Sequence, residues 1–117
     1  MRKISERDKD NLAAILDYCD RISSIVERFG DSFEEYSKDA DYRDAALMNV
    51  FQIGEASNRL SDECKEIMNT VPWHEIYGTR NVIAHGYVKV KNEIIWDIIK
   101  RGVPVLKKEI NEKAGLL

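Results

Sequence analysis

The stretch NLAAILDYCDRISSIVERFG, residues 11–30, decides the fold class of this chain. Its apolar side chains recur three and four residues apart, which is the spacing of one face of an α-helix. They are Leu12, Ile15, Leu16, Cys19, Ile22, Ile25, Val26 and Phe29. Ser5 offers a hydroxyl cap, followed by acidic residues in the first turn, so the helix is predicted to begin there. Gly30 is predicted to end it.

Two further helices are predicted in the next segment. Asp31 can cap a short helix that carries Phe33 and Tyr36. The second long helix then begins at residue 39 or 41, where an aspartate stands at each position. Gly54 lies in the middle of this helix, where glycine costs about 1 kcal/mol relative to alanine. A glycine at that place predicts a close approach by another helix or by a ligand.

The last part of the chain predicts two more long helices. Pro72 suits the first turn of the third helix, and Gly86 can end it in the left-handed conformation. The fourth long helix follows, and Gly102 and Pro104 are predicted to bend or interrupt it. No long segment alternates with a period of two residues. The predicted fold is therefore all-α, an up-and-down bundle of four main helices plus a short helix, in one domain over residues 1–117.

Composition limits the possible classes of protein. Of the 117 residues, 33% are charged and 44% are hydrophobic, which is typical of a soluble globular protein. No apolar run reaches the roughly 20 residues that a membrane span needs, and the N-terminus does not resemble a signal peptide. Cys19 and Cys64 are far apart and form neither a disulfide framework nor a metal-binding pair. These features predict a cytoplasmic protein without a membrane contact.

The charge distribution argues against a broad nucleic-acid-binding surface. The net charge is −3; residues 1–70 contain 10 Lys and Arg against 16 Asp and Glu, and residues 71–117 contain 8 against 5. Proteins that grip nucleic acid along a whole face usually carry a strong basic excess. Any contact with RNA is therefore predicted to be local, near residues 80–87 and the lysines that follow them.

The octapeptide RNVIAHGY, residues 80–87, concentrates side chains that suit a phosphodiester. Arg80 can neutralise phosphate oxygens with its forked guanidinium, and His85 can transfer protons near neutral pH. Asn81 can hold a phosphate or orient the imidazole, and Tyr87 lies just beyond the predicted helix end. No acidic cluster for Mg²⁺ and no zinc spacing accompanies them, so a metal-independent ribonuclease without a cofactor is predicted. A symmetric dimer would supply a second histidine to the same cleft.

The same residues also have plain structural interpretations. His85 can simply interact with the terminal carbonyls of its helix, and Arg80 can form a surface ion pair. His74 is expected to be a capping or surface residue. Trp73 and Tyr77 are expected in the core rather than at a substrate-binding surface.

Three stretches together resemble the HepT-like toxin family of the HEPN superfamily. They carry the motifs GEA at residues 54–56, W-x-x-I-x-G-x-R-N at residues 73–81 and R-x4-H-x-Y at residues 80–87, and the resemblance covers about residues 5–110. The stretches are DYRDAALMNVFQIGEASNRLS, PWHEIYGTRNVIAHGY and IIWDIIKRGVPVLKKEI. The resemblance implies a HEPN-like homodimer with the R-x4-H motif at the dimer cleft.

The resemblance also implies a biological role. HepT-like proteins are ribonucleases that form the toxin half of a type VII-like toxin–antitoxin pair. Their antitoxin is a minimal nucleotidyltransferase that silences the toxin by adding AMP to the motif tyrosine. Carried over, Arg80 and His85 are the catalytic pair, Asn81 supports them, Tyr87 receives AMP, and Glu55 is a structural residue near the groove. Two alternatives stay open: a non-catalytic nucleotide- or substrate-binding subunit of a minimal nucleotidyltransferase, and a purely structural helical dimer.

Overall fold

The computed structural model describes residues 4–114, apart from the side chains of Tyr87 and Ala114. Within these residues the chain forms seven α-helices and no strand, which confirms the predicted all-α bundle. None of the described helices is long and apolar enough to cross a membrane. The helices are α1 (Glu6–Phe29), α2 (Phe33–Lys38), α3 (Ala40–Asn58), α4 (Asp62–Ile67), α5 (Trp73–Gly86), α6 (Asn92–Asp97) and α7 (Val103–Ala114).

Both ends of α1 and the start of α3 are set by local capping, as predicted. The Ser5 side chain accepts a hydrogen bond from the Asp8 backbone N–H at 3.1 Å and begins α1. Gly30 ends α1 with φ at 119°, a conformation that favours glycine. The Asp39 carboxylate accepts from two backbone N–H groups in the first turn of α3. These signals lie within a few residues of each helix end, so the sequence pattern was sufficient to predict them.

Two details of the short helices differ from the prediction. Ser32, rather than Asp31, caps α2, since its hydroxyl accepts from the Glu35 N–H at 3.0 Å. A second short helix, α4, follows α3, so the bundle has two short helices instead of one. Its start is fixed by Ser61, whose hydroxyl accepts from the Cys64 N–H at 3.1 Å.

The predicted left-handed cap at Gly86 is wrong. Gly86 is the last residue of α5, and within residues 4–114 only Gly30 has a positive φ. The chain instead tightens into a 3₁₀ turn, Tyr87–Lys89, directly after α5. A 3₁₀ turn satisfies the terminal carbonyls without reversing the backbone hand, so the left-handed conformation is not needed.

The predicted interruption of the fourth long helix is confirmed. The segment Ile98–Gly102 is a π turn that joins α6 to α7, and the Val103 N–H donates to the Ile98 carbonyl five residues back. Pro104 has no N–H of its own to donate. The helices α6 and α7 therefore form one continuous rod with an extra residue at its middle, named here the α6–α7 rod.

The core lies between α1, α3 and the α6–α7 rod. The helices α1 and α3 pack along each other, α5 packs on α3, and α7 packs on α1. An aromatic cluster closes one end, where Tyr42 stacks on Phe29 at 5.1 Å and contacts Tyr36 edge-on at 5.1 Å. The largest fully buried side chains are Tyr36, Tyr42, Leu12, Ile15, Ile22, Met68, Ile95, Ile110, Cys19 and Cys64.

The two cysteines are part of this core rather than reactive groups. Both are free thiols and both are buried. Burial raises the pKa of Cys19 to about 12 and that of Cys64 to about 11. Since the thiolate is the nucleophilic form, both thiols are expected to be inert near neutral pH.

A buried carboxylate joins the start of α1 to the start of α4. Asp8 is 3% exposed, and it accepts hydrogen bonds from the Ser61 N–H at 2.9 Å and from the Ser61 hydroxyl at 2.6 Å. Burial by itself would raise the pKa of Asp8, but the hydrogen bonds from Ser61 outweigh it and lower the pKa below its ordinary value. A lowered pKa means that the ionised form stabilises the folded chain.

We expect Asp8→Asn to lower the free energy of unfolding by about 1–3 kcal/mol near neutral pH, because one of the two donors loses a charged acceptor. The stabilisation by ionised Asp8 is present above the unfolded-state pKa, 3.8, and is lost as the pH falls through the lower folded-state pKa. Urea unfolding of wild type and variant should therefore differ near neutrality and converge in acid. The exposed Asp10→Asn is the control. A pH-independent difference would contradict the expectation.

Candidate active site

A glycine brings α5 into close contact with α3. A Cβ added at Gly54 would lie 2.4 Å from the Arg80 Cβ and 2.8 Å from its Cγ. Those separations are far below van der Waals contact, so only glycine allows the two helices to cross at this distance. The predicted close approach at Gly54 is confirmed, and its partner is the arginine of the octapeptide. The stem of Arg80 therefore has one defined position on α3.

Three neighbours then orient the Arg80 guanidinium. Its Nε lies 2.5 Å from the Glu55 Oε1, and its Nη1 donates to the Asn81 Oδ1 at 2.9 Å. The guanidinium carbon lies 5.3 Å from the centre of the Phe51 ring, within the range of a cation–π contact. A guanidinium has five N–H groups, and these contacts use two of them. Within the part of the chain that the structure describes, the other three N–H groups, including both on Nη2, have no hydrogen-bond partner.

The environment of Arg80 favours an oxyanion ligand. The side chains of Arg80 and Glu55 are 26% and 28% exposed, so the pair is partly desolvated but reachable from solvent. Arginine stays charged at any physiological pH, and its Nη1 and Nη2 edge matches two oxygens of a phosphate. Glu55 offsets part of the charge when no ligand is bound. The Arg80 guanidinium is therefore held in one orientation, and its charge and shape are compatible with an oxyanion ligand.

His85 lies on a different side of the same helix. It is exposed, and α5 continues unbroken through it to Gly86. A single groove formed by Arg80 and His85 of one chain would require α5 to fray at His85. The helix does not fray there. Residues five apart on a continuous helix diverge by roughly 140° around the axis. One chain therefore does not direct Arg80 and His85 to a single point. The Tyr87 side chain lies outside the described part of the structure, and its backbone begins the 3₁₀ turn.

The helix α5, which carries the R-x4-H-x-Y motif, is only partly covered by the rest of the chain. No residue of α5, all of which the structure describes, is buried. Tyr77 is 41% exposed and Val82 is 50% exposed, and Met48 on the adjacent α3 is 58% exposed. The expectation that Tyr77 belongs to the core is therefore wrong. Trp73 packs against the core, its indole N–H donates to the Met68 carbonyl at 3.0 Å, and His74 is exposed, as expected.

The sequence pattern did not single out Phe51 as a neighbour of the arginine. The family resemblance implied only that Glu55 is a structural residue near the groove. Their spacing of four residues places both on one face of α3, beside Gly54. That spacing was the available signal, but it does not identify Arg80 as the partner. Among residues 4–114, no group of three or more His, Cys, Asp or Glu side chains is arranged to hold a metal ion.

A family model and several individual proteins match most of this chain, and they are described as ribonucleases. The family model described as "Ribonuclease HepT-like" matches residues 15–112. A protein named "Putative RNase" from Caldanaerobacter subterraneus subsp. tengcongensis is 37% identical over 101 residues, covering 86% of this chain and 88% of that protein. One of the same name from Methanocaldococcus jannaschii is 30% identical over 103 residues, covering 87% and 94%. "Probable ribonuclease HepT" from Thermococcus cleftensis is 27% identical over 96 residues, covering 78% and 87%. No solved structure matches the chain.

Proposed function

Because this chain belongs to the HepT-like ribonuclease family, as its motifs predicted, we propose that it is a metal-independent endoribonuclease. The observation that carries the proposal is the oriented, partly desolvated guanidinium of Arg80, three of whose N–H groups have no partner among the described residues. His85 and Tyr87 follow it in the octapeptide, and Asn81 already holds one of its nitrogens. Arginine binds the scissile phosphate, and histidine transfers the protons.

The proposed reaction is a transesterification within the RNA. The ribose 2′-oxygen attacks the neighbouring phosphorus while a neutral His85 accepts the 2′-hydroxyl proton. The bond between phosphorus and the 5′-oxygen breaks, and a protonated His85 from a second copy donates the proton to that oxygen. Arg80 stabilises the negative charge that builds on the non-bridging oxygens. The products are a 2′,3′-cyclic phosphate and a 5′-hydroxyl, and no redox partner is needed.

A homodimer is part of this proposal for two reasons. Arg80 and His85 of one chain point about 140° apart, so a second copy is needed to complete an acid–base pair at one phosphate. The uncovered apolar residues on α5 and α3, among them Tyr77, Val82 and Met48, offer a surface for that copy. Association through this surface would place two octapeptides across one cleft.

RNA cleavage by the purified full-length chain tests the proposed function. We expect a total RNA mixture to be cut into fragments with 2′,3′-cyclic phosphate ends, at the same rate with EDTA as with Mg²⁺. Cleavage that disappears in EDTA would contradict the metal-independent mechanism. Intact RNA under both conditions, with a folded chain, would contradict the ribonuclease itself.

Glu55 is expected to act as a positioning residue for Arg80. Glu55→Ala should lower kcat about tenfold, because the guanidinium loses the partner that orients it. KM should stay unchanged or fall, because removing a carboxylate also removes a charge that repels RNA. Glu55→Gln keeps an acceptor for Nε and should restore most of kcat. Glu27→Ala, an exposed glutamate on α1, is the control. A rise in KM at constant kcat would contradict the positioning role.

The biological role completes the proposal: this ribonuclease is the toxin of a pair whose antitoxin is a minimal nucleotidyltransferase. In the proposed silencing step the Tyr87 oxygen attacks the α-phosphorus of ATP, pyrophosphate leaves, and the phenolic proton passes to solvent. Support comes from the position of Tyr87, two residues beyond His85 at the end of α5. An adenylate there adds bulk and negative charge beside the residues proposed to bind the RNA phosphate.

Substitution of the tyrosine tests this regulation. When a minimal nucleotidyltransferase encoded beside this chain is produced with it, wild type should gain the mass of one adenylate and stop inhibiting growth. Tyr87→Phe should stay unmodified and inhibit growth in the presence of the same partner. Full neutralisation of Tyr87→Phe would show that adenylation of this residue is not the silencing step.

A further inference from the structure

A second recess lies apart from the Arg80 crossing. It is a groove of about 760 Å³ between α5 and the α6–α7 rod, above α3. Val50 and Ile53 of α3 lie at its base, where both are buried. Ile76 lines it from α5, and Ile94 and Val105 line it from the rod. The recess is therefore mostly apolar, although it is open to solvent.

The shape of the groove suits a helix. Ile94 and Val105 are 53% and 55% exposed, and eleven residues separate them along the rod. That separation corresponds to about 16 Å, or three helical turns. The π turn Ile98–Gly102 lies between them and contributes to the same wall. Inserted residues of this kind often occur at functional sites, and from this turn Ile98, Arg101 and Gly102 line the groove.

The rim of the groove is acidic. Glu75 of α5 and Glu93 of α6 line it from opposite walls, and neither carboxylate has an ion pair in the part of the chain that the structure describes. Asp97 also lies on the rim, but it is paired with Arg101 at 2.6 Å. The rim thus keeps two uncompensated negative charges. This charge repels RNA phosphates, and a second copy docked through the same face would bring identical glutamates together.

We propose that this groove receives an amphipathic helix of a different protein. The helix would insert an apolar face of two to three turns between α5 and the rod, and its flanking Lys or Arg side chains would pair with Glu75 and Glu93. Apolar burial supplies the affinity, and the two charged walls select a basic helix. This partner site is separate from the proposed RNA site, because the α5 residues Ile76 and Thr79 line it, whereas Arg80 faces α3.

The test uses a fluorescent synthetic peptide of leucine and lysine, about 18 residues long, whose leucines share one helical face. Its control is a peptide of the same composition in which the leucines share no face. Fluorescence anisotropy with the full-length chain should show at least about tenfold tighter binding of the amphipathic peptide. No binding, or equal binding of both peptides, would overturn the proposal. The readout does not depend on RNA cleavage.

Two pairs of variants locate the binding site. The double variant Glu75→Lys with Glu93→Lys should weaken binding about tenfold relative to Glu27→Lys with Glu112→Lys, which changes the net charge equally elsewhere. Ile94→Asn should weaken binding, and Val88→Asn, at an 89% exposed position, should not. Equal losses in both members of each pair would overturn the proposal. If Ile94→Asn dissociates a dimer in sedimentation and leaves peptide binding intact, a second copy is the occupant and the proposal is wrong.

Discussion

Replacing His85 by alanine is expected to lower the rate of RNA cleavage by a factor of about 10²–10⁴, the usual contribution of a general acid–base group. Because the side chain is exposed in the last turn of α5, the free energy of unfolding should change by less than about 0.5 kcal/mol. Cleavage assays and urea unfolding on the same preparations separate the two effects. Growth on induction should follow cleavage, with arrest for wild type and not for His85→Ala.

His74→Ala is the matched control for this experiment. The chain contains two histidines, and both lie exposed on α5. Cleavage by His74→Ala should equal that of wild type. Adding an excess of His85→Ala chains to wild type should lower activity by subunit exchange, because each proposed cleft uses two copies of the residue. Full activity of His85→Ala would contradict the catalytic role and favour a non-catalytic subunit of a nucleotidyltransferase. If Arg80→Ala were silent as well, a purely structural dimer would remain.

Gly54→Ala is expected to impair both stability and cleavage. The added Cβ would lie 2.4 Å from the Arg80 Cβ, which is close to the backbone and cannot rotate away. The helices α3 and α5 must separate, at a cost of about 1–3 kcal/mol that exceeds the roughly 1 kcal/mol gained from alanine in a helix. Arg80 would also shift relative to Glu55, so cleavage should fall at least about tenfold. Urea unfolding and cleavage rates measure the two losses.

Gly78→Ala is the control, and it is expected to change the free energy of unfolding in the opposite direction. This glycine lies in the middle of α5, and among the described residues a Cβ added there would meet no atom within 4 Å outside its own turn of helix. Alanine should therefore raise the free energy of unfolding by up to about 1 kcal/mol and leave Arg80 in place. If Gly54→Ala stabilised the chain as Gly78→Ala does, the close helix crossing would not constrain Arg80.

The helices themselves could be predicted because their signals are local. Apolar residues three and four apart identified α1 and α3, and the Ser5, Gly30 and Asp39 caps act within one turn. The predicted helix caps were wrong where two local backbone structures are both favourable. Asp31 and Ser32 are both good caps, and a terminal glycine such as Gly86 permits either a left-handed cap or a 3₁₀ turn. The family could also be inferred, because its motifs are short segments of contiguous sequence.

The sequence by itself determined the all-α fold, most helix ends and the family of this protein. Only the tertiary structure decided which residues meet across the bundle. Asp8 and Ser61 are 53 residues apart in the chain, and Glu55 and Arg80 are 25 apart. Helical periodicity gives the face on which a side chain lies, but not the partner helix, its crossing point or its axial offset. Those depend on the packing of the whole core, which here places Gly54 under Arg80.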